Sequence, residues 1–367
     1  MFMDALRMND QMSHLFEPLR LRDVELRNRI MISPMCQYSS IDGLANDWHL
    51  VHLGSRAVGG AALVMVEATA VVPEGRISPE DMGIWSDAHI APLEQIFRFI
   101  GQQGAVPGIQ LAHAGRKAST SAPWKGGHPL APADGGWTPI YAPSPTAFAE
   151  TWQTPQALTT SQIRGVVESF AAAAQRALSA GARWLEIHAA HGYLLHTFLS
   201  PLSNHRTDEY GGPFENRTRA LREVLAAVRK VWPERYPLSV RISATDWHED
   251  GWTVEDSIAL AKMLQPLGAD IMDCSSGGIL PGISIPLGAG YQVPLAQRIR
   301  TATGIPTIAV GMITGPAQAD HIIRTGQADA VMLARQLLRD PYWPLHAAKA
   351  LGHDVQWPLQ YERAKPK

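Results

Sequence analysis

Along the chain, short runs of apolar and β-branched residues alternate with longer stretches in which apolar residues recur every three or four positions. The short runs fall at residues 30–33, 62–69, 107–112, 184–188, 238–243, 271–275, 307–310 and 330–333. Each is nearly continuous in apolar character, as expected of strands covered on both faces of a parallel sheet. The longer stretches predict helices over 93–103, 161–180, 215–231, 254–267, 294–303, 315–325 and 343–351. Several open on hydroxyl residues that can accept first-turn amides: Thr253, Thr314, and the neighbours Thr160 and Ser161. Eight strand and helix pairs without a long linker predict one α/β domain over 15–367, a single (β/α)8 TIM barrel. An open doubly wound sheet is the competing arrangement. Against it, no G-x-G-x-x-G follows the first strand, where such a sheet carries its dinucleotide loop.

Two segments break the alternation. Residues 15–28 alternate apolar and polar positions around Arg22 and Asp23, which predicts an N-terminal β-hairpin closing the barrel floor. Residues 116–159 are rich in Pro, Gly and Trp, and predict a long insertion after the third strand; loops of this length commonly shape a site. Residues 1–14 carry Asp4, Arg7 and Asp10 with no apolar run, and predict a flexible extension rather than a secretion signal.

Composition then narrows the class of partner. With 32 Lys+Arg against 34 Asp+Glu the net charge is -2, so no broad positive field exists to hold nucleic acid or an anionic membrane, and a small molecule is the expected partner. The longest apolar stretch, 57–72, contains Glu67 and falls short of the ~20 residues of a membrane span. Two cysteines, Cys36 and Cys274, exclude a disulfide framework and fit a reducing, cytoplasmic setting. Charged residues make up 18% of the 367, below the roughly 25% of an ordinary soluble protein. That scarcity predicts surface covered by other copies of the chain, in a homodimer or homotetramer.

Barrel enzymes place their chemistry at the carboxyl ends of the strands. There the chain offers Ser33, Pro34, Met35, Cys36, Gln37 and Tyr38 after strand one, Glu67 and Ala68 on strand two, and Gln110 through Lys117 around the end of strand three. His188, His191 and Tyr193 follow strand four. Two imidazoles three residues apart can both aim N–H donors at one oxygen, and a nearby phenol can donate a proton. The same histidines could instead ligate zinc, although carboxylates among the strand ends are few, or be structural. Arg241 on strand five is a cation inside an apolar barrel, which is costly without an anion. Gly277, Gly278 and Gly311, with Ala334 and Arg335 after strand eight, suggest a phosphate site between the last loops, or simply tight turns. Cys36 by itself reads as a small buried side chain or as part of the site.

These segments together resemble the Old Yellow Enzyme family of flavin-dependent ene reductases, and most closely its bacterial class with a cysteine on the first strand. The likeness rests on Ser33 to Tyr38, Gln110 to Lys117, His188 to Leu195, Phe198 to Asn204 and Arg206 to Gly212. It implies a noncovalent FMN bound by Ser33, Pro34, Met35, Cys36, Ala68, Gln110 and Arg241, with its phosphate at Gly311, Ala334 and Arg335. It further implies that Cys36 tunes the flavin, His188 and His191 hold a substrate carbonyl oxygen, Tyr193 delivers a proton, and Tyr38 lines the pocket. NADPH is the implied hydride donor, with NADH possible, and activated alkenes are the implied substrates. In this class a C-terminal Tyr-Glu-Arg-Gly-Trp segment reaches into a neighbouring subunit; here the chain reads Tyr361-Glu362-Arg363-Ala364-Lys365, which keeps the arginine, Arg363, and lacks the aromatic. The alternatives are a flavin-free lyase or isomerase acting on a phosphorylated substrate, with Lys117 as a Schiff-base lysine, and a zinc hydrolase using His188 and His191.

Overall fold

A computed structural model of the protein describes residues 14–366, so the extension expected over 1–14 lies outside the described residues except for His14. The hairpin is present: β1 (Leu19–Leu21) runs antiparallel to β2 (Val24–Leu26). Val24 and Leu26 pack against Met31, Leu63, Trp184, Ile271 and Ile308, the inward residues at the lower end of five barrel strands, and so plug the floor.

Eight parallel strands close the barrel. They are β3 (Ile30–Ile32), β4 (Leu63–Ala70), β5 (Val106–Ala112) and, beyond the insertion with its short pair β6 (Tyr141–Ala142) and β7 (Gln156–Ala157), β8 (Trp184–Ala189). β9 (Leu238–Ser243), β10 (Ile271–Ser275), β11 (Thr307–Ala309) and β12 (Ala330–Leu333) complete the ring, with β12 pairing back to β3. Period-two alternation governs each strand. In β9, Leu238, Val240 and Ile242 join the outer core under the helices, while Ser239, Arg241 and Ser243 take the opposite, inward face. In β10, Met272 and Cys274 likewise face the helices, which leaves Asp273 and Ser275 inside.

The helices cover the barrel with apolar stripes at helical spacing. Ala220, Leu221, Val224, Leu225 and Val228 of Arg219–Val231 are an example. This helix is separate from Phe214–Arg217: the expected 215–231 helix breaks at Thr218, whose hydroxyl bonds back to Glu215 O. The 254–267 helix ends at Leu264, because Pro266 lies in the 3-10 turn that follows. Thr253 caps Val254–Leu264 as expected, its Oγ accepting from the Asp256 amide at 3.1 Å. The cap of Thr160–Ala180 is Thr159 rather than Thr160 or Ser161, since Gln162 returns a bond to the Thr159 amide and closes a capping box. Thr314 is not a cap either; Gly315 occupies that position before Pro316–Arg324. Among the described residues three helices lie outside the expected set: the short Leu194–Leu199 and Arg335–Arg339, and Asp47–Val58, which buries His49, His52 and Arg56 beside Leu53 and Ala57 and so shows no clean apolar stripe. Among the described residues no helix is long and apolar enough to cross a membrane.

Candidate active site

Strand register assembles two polar groups inside the barrel. Ala68, Gln110, Glu186 and Ser239 stand level across β4, β5, β8 and β9; His188, Arg241 and Asp273 stand level one step higher across β8, β9 and β10. In the lower row Gln110 Nε2 donates to Glu186 Oε1 at 2.9 Å, and Ser239 Oγ donates to Glu186 Oε2 at 3.0 Å. Above it Arg241 Nε lies 3.1 Å from Asp273 Oδ2, and another guanidinium nitrogen donates to Ser33 Oγ at 3.1 Å. The anion that Arg241 requires is thus supplied by the chain itself. Burial pushes both carboxyls, Glu186 and Asp273, above the usual carboxylate range, and Arg241 opposes that push. Glu186 and Asp273 are carboxylates that the strand ends alone do not show: they lie inside the strands, two positions before His188 and Ser275, and period two marks them as inward.

The second group is the turn that follows β8. His188 Nδ1 accepts the Ala190 amide at 3.2 Å, which leaves the ring proton on Nε2. His191 Nε2 sits 2.7 Å from Ser275 Oγ. The ring centroids of His188 and His191 are 5.1 Å apart, and those of His188 and Tyr193 are 5.0 Å apart, both edge to face. Burial, with Arg241 as the next cause, drives both imidazoles well below their ordinary range, and burial raises the Tyr193 phenol. All three are therefore uncharged at neutral pH.

The turn owes its shape to close backbone contact. His191 and Gly192 both take left-handed φ angles, 60° and 73°. A Cβ on Gly192 would lie 2.2 Å from Gly278 O, so only glycine lets the turn approach the loop after β10. Lys117 Nζ bridges the two loops by donating to His191 O at 2.8 Å and Gly278 O at 2.5 Å. An amine held between two carbonyls beneath the Phe148 ring is a clamp, which disfavours the Schiff-base reading. Among the described residues no group of three His, Cys, Asp or Glu that could hold a metal is present.

Beside the turn a groove of about 310 Å³ runs up to the ends of β11 and β12. Its lining brings together Ser33, Arg241, Gly311, Ala334 and Arg335 of the residues expected to bind FMN. Gly311 has φ 103°, and a Cβ there would lie 2.7 Å from Gln292 Nε2. Arg339, one helical turn beyond Arg335 on Arg335–Arg339, also lines the groove; sequence reading stopped one turn short of it. A groove of mixed polar and apolar lining that carries the exposed Arg335 and Arg339 and the buried Arg241 suits a phosphorylated chain leading to a ring over the barrel.

Cys36 and Tyr38 lie in the segment that follows β3 and are not among the residues lining the groove. The Cys36 thiol meets the Ala68 amide, and burial together with Asp81 and Glu67 nevertheless pushes it up, so it is a neutral thiol. Glu67 Oε2 accepts the Gln37 amide at 3.0 Å. Tyr38, at φ 49°, packs edge-on against Trp124 of the insertion. The peptide carrying Pro34 and Met35 links Ser33 to Cys36, and Gln37 Nε2 donates to Met35 O at 2.7 Å. Arg363 is not gathered with these residues in its own chain. It is exposed in the terminal turn Leu359–Ala364, and the residues around the start of that turn line a separate cavity with Arg27, Gly60 and Gln103.

The profile of the NADH:flavin oxidoreductase / NADH oxidase family matches residues 14–354. The NADPH dehydrogenase of Geobacillus thermodenitrificans (strain NG80-2) is 48% identical over 351 residues, covering 95% of this chain and 98% of the relative. Among solved structures, the Old Yellow Enzyme homologue from Zymomonas mobilis superposes with a TM-score of 0.78 at 26% identity, covering 96% of this chain and 99% of that one. A 2-naphthoyl-CoA reductase superposes with a TM-score of 0.83 at 25% identity over 93% of this chain, which spans only 52% of that longer protein. A barrel with this groove, matched by that family over nearly its whole length, belongs to the NADH:flavin oxidoreductase / NADH oxidase family and is an Old Yellow Enzyme type of oxidoreductase, with FMN as cofactor and a reduced nicotinamide nucleotide as electron donor.

Proposed function

We propose that this enzyme reduces the C=C bond of alkenes conjugated to a carbonyl or nitro group. The observation that carries the reading is the cluster of three uncharged donors, His188, His191 and Tyr193, on one turn beside the groove. FMN, when bound, supplies the redox chemistry by taking a hydride from the nicotinamide donor and passing it to the alkene. The chain supplies the rest. Ser33, Pro34, Met35, Cys36, Ala68, Gln110 and Arg241 hold the ring, and Gly311, Ala334 and Arg335, with Arg339, hold the phosphate.

Reduction at the β carbon moves charge onto the activating oxygen. His188 offers Nε2–H there, because its Nδ1 is occupied by the Ala190 amide. Nε2 of His191 pairs with Ser275 Oγ at 2.7 Å, and with its ring proton on Nδ1 this imidazole offers the second donor to the same oxygen. Neutral donors stabilise an oxyanion as it forms more strongly than they bind the neutral carbonyl of the substrate or of the saturated product. Tyr193 then gives its proton to the α carbon; its raised acidity range keeps that proton in place until charge has developed. Tyr38 shapes the pocket wall, and the neutral Cys36 thiol beside Ala68 tunes the flavin.

The hydride donor uses the same pocket as the alkene, and NADPH is the donor this reading favours, as in the Geobacillus relative's name. The exposed apolar side chains Ile41, Trp48 and Val51 near one helix and Leu359 and Tyr361 on the tail support a homo-oligomer in which Arg363 completes a neighbour's pocket. The test is optical. The purified protein has a yellow flavin band that bleaches anaerobically with NADPH and returns on adding 2-cyclohexen-1-one with formation of cyclohexanone. A band that bleaches and stays bleached with enones, maleimides and nitroalkenes alike would overturn the alkene reading.

A further inference from the structure

His196 and Asp246 lie outside the chemistry just described, yet both side chains are wholly buried. His196 sits on the short helix Leu194–Leu199 that continues from the turn, and Asp246 sits in the loop after β9. The Gly192 amide, between His191 and Tyr193, donates to His196 Nδ1 at 2.8 Å. That bond needs an unprotonated Nδ1, so the ring proton stands on Nε2, which lies 3.0 Å from Asp246 Oδ1 although not aligned for a straight hydrogen bond. Asp246 is itself held: its Oδ2 accepts the Ser200 hydroxyl at 2.6 Å and the Trp252 amide at 2.8 Å. Burial raises the Asp246 carboxyl, but His196 and these donors outweigh that and hold it below the usual range.

The left-handed turn leaves each of its amides to be satisfied individually. The His191 amide goes to Ser243 Oγ and the Tyr193 amide to Ala190 O. The Gly192 amide has His196. We propose that His196, oriented by Asp246, is a positioning residue that fixes the Gly192 peptide and with it the mutual placement of His191 and Tyr193. Both side chains are wholly buried, and the pair acts through the backbone between the oxygen-binding histidine and the proton donor. The inference rests on the roles proposed above for those two side chains.

The test compares His196→Leu, His196→Asn and Asp246→Asn in the FMN-loaded enzyme. Leucine removes the acceptor, whereas asparagine places an amide oxygen where Nδ1 stands and keeps it. Per bound FMN, His196→Leu lowers kcat for 2-cyclohexen-1-one by about tenfold or more, as expected when a supporting group beyond the reacting side chains is lost. Hydrogen exchange over residues 188–195 rises by a similar factor, on the order of tenfold, because the turn opens locally. His196→Asn recovers most of both losses, and Asp246→Asn falls between the two. A His196→Leu enzyme with unchanged kcat and KM per bound FMN and unchanged exchange would overturn the proposal, as would an asparagine variant no better than leucine. Failure of the functional reading looks different: enone reduction would then survive replacement of both His188 and His191, whatever the His196 variants do.

Discussion

Two polar groups share the interior of one barrel and are built on opposite plans. The Arg241, Asp273, Glu186 and Gln110 group carries a cation and meets it with carboxyls from the neighbouring strands. The His188, His191 and Tyr193 group carries no charge, and burial pushes each of its members toward the neutral form. The first arrangement balances charge that is always present. The second leaves room for charge that appears only during a reaction, with donors already oriented. Buried neutral donors contribute little to a resting structure, and that is why they can discriminate for a transition state.

The contrast predicts that damage to the neutral group is read in rate, whereas damage to the charged group is read first in stability and with it in FMN content. The largest rate effect on a single side chain belongs to Tyr193→Phe, which removes the proton but keeps the ring against His188; alkene reduction falls by roughly 10²–10⁴, while the thermal midpoint and FMN content hold. Steady-state kinetics beside a melting curve checks both halves. Asp273→Ala strands the Arg241 guanidinium and costs about 3–5 kcal/mol of folding stability, measured by denaturant titration. A Tyr193→Phe protein as unstable as Asp273→Ala would break the comparison.

A smaller effect concerns pH. The His188 imidazole titrates well below its ordinary range in the folded chain, whereas the unfolded chain takes up that proton near pH 6.5. The folded state thus binds fewer protons below that point, so the contribution of neutral His188 is full above pH 6.5 and is lost as pH falls. In His188→Gln the fall in stability as pH drops below 6.5 is shallower than in the wild type. Parallel stability curves for the two proteins would mean that His188 is accessible to protons and not the neutral donor described.

Much of this was legible from residue order. Strands β9, β10 and β12 fall on the expected residues, because their apolar runs are unbroken and bounded by polar ends. His188, Arg241 and the Gly311, Ala334 and Arg335 set were visible as polar or permissive residues at strand ends. What escaped was polar and internal. Glu186 and Asp273 sit within strands, and only strict alternation counted back from His188 and Ser275 reveals them. The Asp47–Val58 helix hides behind buried His49, His52 and Arg56, whose partners come from distant segments such as Leu337 O for Arg56. His196 escaped for the same reason: its function depends on a backbone amide and on Asp246, 50 residues away, and neither contact leaves a local pattern.

The central claim is that the uncharged histidine pair receives the charge that develops on the substrate. The most direct measurement reduces the wild type and the His188→Ala/His191→Ala protein with NADPH under anaerobic conditions, mixes each with 2-cyclohexen-1-one, and follows the return of the flavin band. Both proteins hold FMN, and the double variant reoxidises at least about 100-fold more slowly. Equal reoxidation rates, with FMN bound in both, would contradict it.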